Sequence, residues 1–377
     1  MPLPSKRDPE LLRAALEHWF SATLGHPAAV GDVSIPDGTG MSSETLLFDL
    51  THDGRTEQMV ARIRPDMDDW PVFPVYDLAK QAAAMRMVAA FSDVPVPEVP
   101  WVEDDDRYLG APFIVMRRVD GRAVPDMPPY VFGGSFLDAM SPDELRELQR
   151  QAISVLARLH ALDLSVVDAS AIGPVGESGQ ESLGRQLDEL QSYYEWARTG
   201  WSFGDQTVPL IDAAIEWLHA HRPADPGPTV LNWGDARPGN ILFDSTRPTA
   251  VLDWEMVNLG PAGVDVGWLI LLHEFFQSLS VVFELPGFPD FCRPDDVHAD
   301  YVAAGGRPIA DLDWYITYAA VRFAVISVRT SSREAAYGNR EVPADPADLI
   351  MHRDLLAAKI SVSRISESKI GESKISE

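Results

Sequence analysis

Apolar positions recur along this chain in two periods, and the change between them divides it. Leu46, Phe48 and Leu50 fall on one face of a strand, Asp53-Gly54 follows, and Met59, Ala61 and Ile63 then share a face again, with Arg62 on the opposite one. Period two on both sides of Asp-Gly predicts a β-hairpin over residues 45–50 and 58–64. Residues 111–116 read as a further strand, and Asp104-Asp105-Asp106 as a solvated hairpin tip. Ahead of the hairpin, Asp8-Pro9-Glu10 supplies a cap, a first-turn proline and an acid, and Leu12, Leu16 and Trp19 share a helical face. From Ser141 onward the period is helical. Ser141-Pro142-Asp143-Glu144 is a capping box, and Leu145, Leu148, Ile153, Leu156 and Leu159 follow it. Residues 187–198, 210–221 and 314–329 predict more helices, Asp265-Val266-Gly267-Trp268 opens an apolar one, and residues 173–184 read as a loop.

Residues 231–255 interrupt the helical half. A polar loop, Asn232-Trp233-Gly234-Asp235-Ala236-Arg237-Pro238-Gly239-Asn240, leads into Ile241-Leu242-Phe243. A turn over residues 244–249 leads back through Ala250-Val251-Leu252 to Asp253-Trp254-Glu255. Loop, strand, turn, strand and carboxylate is an ordered context, whereas a D-x-x-x-x-N spacing alone is common. Phosphoryl transfer from a Mg-nucleotide needs one carboxylate to orient the attacking hydroxyl and accept its proton, and oxygen ligands for Mg²⁺. Asp235 fits the first role, and Asn240 and Asp253 fit the second. Arg237 lies in the same loop and is expected either to steady the transferred group or to form a salt bridge. The D-x-x-x-x-N spacing equals that of the protein-kinase catalytic loop.

A second segment supports this chemistry. Gly38-Thr39-Gly40-Met41-Ser42-Ser43 precedes the hairpin, and Arg62 ends its second strand. Glycines let backbone approach phosphates, and a guanidinium neutralises them in a bidentate way. Gly38, Gly40, Ser42, Ser43 and Arg62 are therefore the expected nucleotide-phosphate contacts. Neither a Walker A sequence nor G-x-G-x-x-G occurs, so P-loop and Rossmann readings lose.

At these residues the sequence resembles the aminoglycoside phosphotransferase family of kinase-like small-molecule kinases, including the relatives fused to acyl-CoA dehydrogenases. The likeness covers residues 38–329. The family's H-G-D-x-x-x-x-N loop appears here as W-G-D, with Trp233 at the His position, and its I-D-W-E segment as L-D-W-E. The resemblance implies that Asp235 is the base and that Asn240 and Asp253 are the metal ligands. It implies that Arg62 replaces the usual Lys and Gln81 the Glu that pairs with it. Phe113 to Gly121 is similar to the family's hinge, which implies adenine contacts near Met116, Arg117 and Val119. Asp265 matches an Asp that holds the catalytic-loop backbone, and His160, in an L-H-x-L helix end, a structural hydrogen-bonder.

Composition narrows the partners. With 31 basic and 57 acidic residues the net charge is −26, which argues against nucleic acid or an anionic membrane. Cys292 is the single cysteine, so an intramolecular disulfide and a multi-cysteine zinc site are excluded. No signal peptide or spanning run is read, and a cytoplasmic monomer or homodimer is expected. His273-Glu274 lacks a second His at helical spacing, so it reads as a helix face. The tail from Lys359 repeats a five-residue Lys-Ile-Ser-like unit, a period that matches neither helix nor strand, and is expected to be disordered or a frayed helix without a role in the chemistry.

The expected fold is a bilobal protein-kinase-like α+β architecture. Residues 1–116 form a small β-rich nucleotide lobe, residues 117–358 a larger helical catalytic and substrate lobe, and residues 359–377 a tail. The expected cofactors are ATP, with GTP as the open alternative, and Mg²⁺. The expected reaction is γ-phosphoryl transfer to a small-molecule hydroxyl. Two alternatives stand beside it: a hydroxyacyl-CoA or other metabolite kinase, and a nucleotide-binding pseudokinase.

Overall fold

In a computed structural model of the chain, residues 7–36 and 43–361 are described. Gly38, Gly40 and Ser42 of the expected phosphate loop lie outside the described residues, as do residues 362–377 of the tail.

A five-stranded antiparallel sheet forms first. Its strands are β1 (Ala29–Val30), β2 (Glu44–His52), β3 (Arg55–Ile63), β4 (Trp101–Glu103) and β5 (Phe113–Arg117), in the order β1-β2-β3-β5-β4. The β2–β3 hairpin turns at Asp53 and Gly54, both left-handed at φ 50° and 73°, as an Asp-Gly turn of primed type requires. Alternation then separates the two faces. Leu46, Phe48, Leu50, Met59, Ala61 and Ile63 are buried against α1 (Pro9–Leu24), through Leu12, Leu16, Trp19 and Phe20. Arg62 faces the other way. Asp8 caps α1 by accepting from the Glu10 N–H at 2.9 Å. Helix α2 (Leu78–Phe91) covers the opposite face, where Leu78, Met85 and Val88 join Ile114 and Met116 in the larger core.

A short strand, β6 (Arg122–Ala123), follows. The helical part then comprises α3 (Pro142–His160), α4 (Gly179–Ala197), α5 (Pro209–Ala220), α6 (Gly263–Val282), α7 (Pro294–Ala303) and α8 (Leu312–Ala336). Helix α4 starts eight residues before its expected beginning at 187. Ser178 and Glu181 form a reciprocal capping box that opens it, inside the stretch read as loop. Between α5 and α6 lie β7 (Thr229–Asn232), β8 (Ile241–Asp244), β9 (Arg247–Val251) and β10 (Asn258–Pro261). Strand β7 pairs with β10, and β8 lies between β6 and β9. The β8–β9 turn is tighter than expected. Ser245 adopts φ 58°, and Pro248 enters β9 opposite Phe243. Proline fits there because β9 is an edge strand.

The start of the tail is a helix, as one of the two expectations had it, but a docked one and not a frayed one. Residues 353–361 are helical, Ile360 is 7% exposed, and Lys359 Nζ donates to Glu274 at 2.7 Å. The five-residue repeat hid this because only its first apolar residue meets the core among the described residues. No helix among the described residues is long and apolar enough to cross a membrane.

Candidate active site

The loop between β7 and β8 carries Asp235, and its backbone is fixed from below. Asp265, in the first turn of α6, accepts from the Trp233 N–H at 2.7 Å and the Gly234 N–H at 2.8 Å. His160, at the end of α3, donates through Nε2 to Asp265 at 3.2 Å and accepts at Nδ1 from the Tyr301 hydroxyl at 2.9 Å. Gly234 sits at φ 94°, and a Cβ there would meet the Met256 carbonyl oxygen at 2.1 Å. Glycine is thus required on both conformational and steric grounds. Trp233, where the family has His, is buried, and its Nε1–H donates to the Leu252 carbonyl at 2.8 Å. It ties the loop to the end of the β8–β9 hairpin, one residue before Asp253.

Asp235 is 8% exposed. Its Oδ1 accepts from Trp268 Nε1 at 2.7 Å and its Oδ2 from Asn240 Nδ2 at 2.7 Å. Arg237 Nε approaches both oxygens at 3.1 Å, while its Nη1 bonds Asp126. Burial first, and the Asp253 charge second, push the Asp235 carboxyl up to about 7, against the Trp268 and Asn240 hydrogen bonds. Asn240 Nδ2 also donates to the Asp235 carbonyl at 3.1 Å, which turns Oδ1 of Asn240 toward the remaining side as an acceptor.

Asp253 follows β9 and is left-handed at φ 59°. Arg62 reaches it from β3, with Nη1 donating to Asp253 Oδ1 at 3.0 Å and Nε to Ser43 Oγ at 3.1 Å. Glu255 lies 3.8 Å from Arg62 Nη2. Burial works against the Arg62 charge, and Asp253 and Glu255 more than offset it, so its pKa is raised. The expected Arg62–Gln81 contact is not made among the described residues. Gln81 is buried on α2, and Arg62 turns to two carboxylates, which a neutral amide cannot match.

At the hinge, Met116 is buried. The Arg117 N–H donates to the Glu98 carbonyl at 2.9 Å and the Arg118 N–H to the Gln58 carbonyl at 2.9 Å. The Arg117 side chain pairs outward with Glu57 and Glu98. The Arg117 amide is therefore already engaged by the segment ahead of β4. His273 is a structural group: its Nδ1 meets the Tyr130 hydroxyl at 2.6 Å, and burial pushes its pKa down to about 4.

The structure thus brings Ser43, Arg62, Asp253 and Glu255 into one set, and Asp235, Arg237 and Asn240 into another beside it. The sequence reading missed Trp268, Asp126 and Glu255. Trp268 stands three residues after Asp265, on the same side of α6, which was the one available signal. Nothing in the sequence marks Asp126 as the partner of Arg237.

A family model described as "Phosphotransferase enzyme family" matches residues 35–288. Among curated relatives, acyl-CoA dehydrogenase family member 10 of Mus musculus is 25% identical over 289 residues, covering 76% of this chain and 24% of the relative. Family member 11 of the same organism is 26% identical over 180 residues, covering 47% of this chain and 21% of the relative. The chain accordingly spans less than a quarter of either relative's length. Among solved structures, a Ralstonia eutropha protein given as a candidate aminoglycoside phosphotransferase superposes with TM-score 0.65 at 24% identity, over 92% of this chain and 96% of that one. A thermostable mutant of the aminoglycoside phosphotransferase APH(4)-Ia, in ternary complex with ADP and hygromycin B, superposes with TM-score 0.54 at 16% identity, over 92% and 98%. The fold is the bilobal kinase-like α+β architecture of these proteins.

Proposed function

Since the chain belongs to the phosphotransferase enzyme family, we propose that it moves the γ-phosphoryl group of ATP to a hydroxyl of a small molecule. The observation that supports this reading most is the Asp235 carboxylate. It is buried, held by three donors, and poised near 7, as a general base working near neutrality should be.

In this reading the acceptor oxygen attacks the γ-phosphorus, the bond to the β–γ bridging oxygen breaks, and Asp235 takes the hydroxyl proton as ADP leaves. Asn240 Oδ1 and the Asp253 carboxylate are hard oxygen donors that suit Mg²⁺. When bound, that ion neutralises phosphate charge. Arg62 exchanges Asp253 for nucleotide phosphates, and Ser43 stays beside it. Arg237, tied to Asp235 and Asp126, positions the base. A contact to the transferred group would require it to leave Asp126. Main-chain groups near Met116, Arg117 and Val119 receive the base, with the Arg117 amide not among them.

Two acceptor classes compete. The fold neighbour in complex with ADP and hygromycin B suggests an aminoglycoside. The acyl-CoA dehydrogenase names of the curated relatives favour a hydroxylated acyl-CoA as the second reading. An ADP-coupled assay with Mg-ATP over aminoglycosides, macrolides, choline, homoserine and hydroxyacyl-CoAs tests both. Acceptor-dependent ADP release supports the phosphotransferase and names the class. Nucleotide binding without release on any acceptor would favour a pseudokinase.

A further inference from the structure

We propose that His26, His52 and Asp53 form a site for a divalent transition metal such as Zn²⁺, at the end of the small sheet away from Arg62. Sheet pairing brings the three together. Gly25, left-handed at φ 73°, ends α1, and the chain then enters β1, which pairs with β2 through Ala29 opposite Thr51. That pairing places His26 beside the β2–β3 turn, where His52 and Asp53 lie.

The donor atoms already stand at ligand spacing. His26 Nε2 lies 3.4 Å from Asp53 Oδ2, and His52 Nδ1 lies 3.8 Å from the same oxygen. All three lie within 4.8 Å of one another. Bonds of about 2.0–2.1 Å in a tetrahedron put ligand atoms roughly 3.4 Å apart.

The second nitrogen of each imidazole is directed elsewhere. His26 Nδ1 donates to the Pro27 carbonyl at 3.3 Å, which leaves the Nε2 lone pair facing Asp53. His52 Nε2 lies 3.6 Å from the Glu57 carboxylate, and Glu57 is anchored by Arg117. His52 Nδ1 is buried and has no hydrogen-bond partner. A metal-binding histidine characteristically uses one nitrogen for the ion and gives the other to a carbonyl or carboxylate. Two imidazoles and one carboxylate select Zn²⁺, Co²⁺, Ni²⁺ or Cu²⁺ over Mg²⁺. Asp53 is 70% exposed at its side chain, so solvent supplies the fourth position. A metal here would join the α1–β1 link to the β2–β3 turn.

Metal-stripped full-length chain is titrated with Co²⁺ in excess Mg²⁺, which satisfies the oxygen sites. The expected result is one Co²⁺ per chain, with visible absorption of four-coordinate intensity that Zn²⁺ removes. Asp53→Asn keeps the turn, because Asn-Gly is equally favoured there, and should weaken binding more than about 10-fold, as should His26→Ala. Circular dichroism confirms that both variants are folded. Absence of stoichiometric Co²⁺ binding, or binding unchanged in both variants, overturns the proposal.

Discussion

Asp235 shows how one residue is set between two demands. Left alone in that degree of burial, the carboxyl would hold its proton; held by the Trp268 and Asn240 hydrogen bonds, it is brought back to a range where it can accept one. Asp235→Asn preserves size and polarity and removes the capacity to accept a proton. Turnover should fall by about 10²–10⁴-fold, with Mg-ATP affinity nearly unchanged; parallel loss of nucleotide binding and melting temperature would make Asp235 structural instead. The pH dependence has a definite sign. In the folded chain Asp235 holds its proton up to about 7, so kcat/KM should rise with pH through that region. The Trp268 bond favours the charged form, so Trp268→Phe should move this limb to higher pH. A limb that stays put or moves down, measured across pH 5–9, would rule out Trp268 as its determinant. The same shift affects stability. A carboxyl raised in the folded state binds more protons folded than unfolded, so its contribution is full below about pH 4 and is lost as pH rises through about 7.

At the scale of elements, the loop that carries Asp235 is held by its contact with α6 more than by its own sequence. Asp265 satisfies two buried main-chain N–H groups and a buried imidazole at once. Asp265→Ala leaves both N–H groups and the His160 Nε2–H without their acceptor, and urea unfolding should show a loss of about 2–5 kcal/mol. A loss below about 1 kcal/mol would mean that the loop is held elsewhere. This support was legible through the resemblance, because Asp265 sits at a motif position. Trp233 was not: the substitution of His removed the expected brace, and only the fold shows the indole reaching the Leu252 carbonyl. The helical and hairpin periods were legible because each element buries one face. The start of α4 was legible in principle, since Ser178 and Glu181 have capping-box spacing, but neighbouring glycines argued for a loop. The tail's first turn was masked by its repeat. Ile360→Ala should cost about 2–4 kcal/mol, measured by thermal or urea unfolding; an unchanged stability would make this last turn an undocked one.

On the scale of the whole molecule, the Arg62–Asp253 ion pair links residues 191 positions apart in sequence, from the end of the small sheet to the end of the β8–β9 hairpin. Neither residue's partner was readable from the sequence, which placed Arg62 on phosphates and Asp253 on metal and gave no account of where they rest otherwise. Their ion pair would couple the two roles in the proposed function. In the proposed function, binding of Mg-ATP would separate this half-buried guanidinium and carboxylate by giving each a stronger charge, phosphate for Arg62 and Mg²⁺ for Asp253. Removing Asp253 therefore has two effects of opposite sign on nucleotide binding: it frees Arg62 for phosphate, and it deletes a metal ligand. If the metal contribution dominates, as a divalent charge facing a carboxylate requires, Asp253→Ala should abolish the Mg-dependent stabilisation by ATP. At 100 times Kd that stabilisation is about 2.7 kcal/mol in the unmodified chain. Thermal unfolding with ATP in Mg²⁺ and in EDTA resolves the two effects. The variant should melt at the same temperature with ATP in either medium. If it keeps the full Mg²⁺-dependent shift, Asp253 is only the resting partner of Arg62, and the metal is held by other residues.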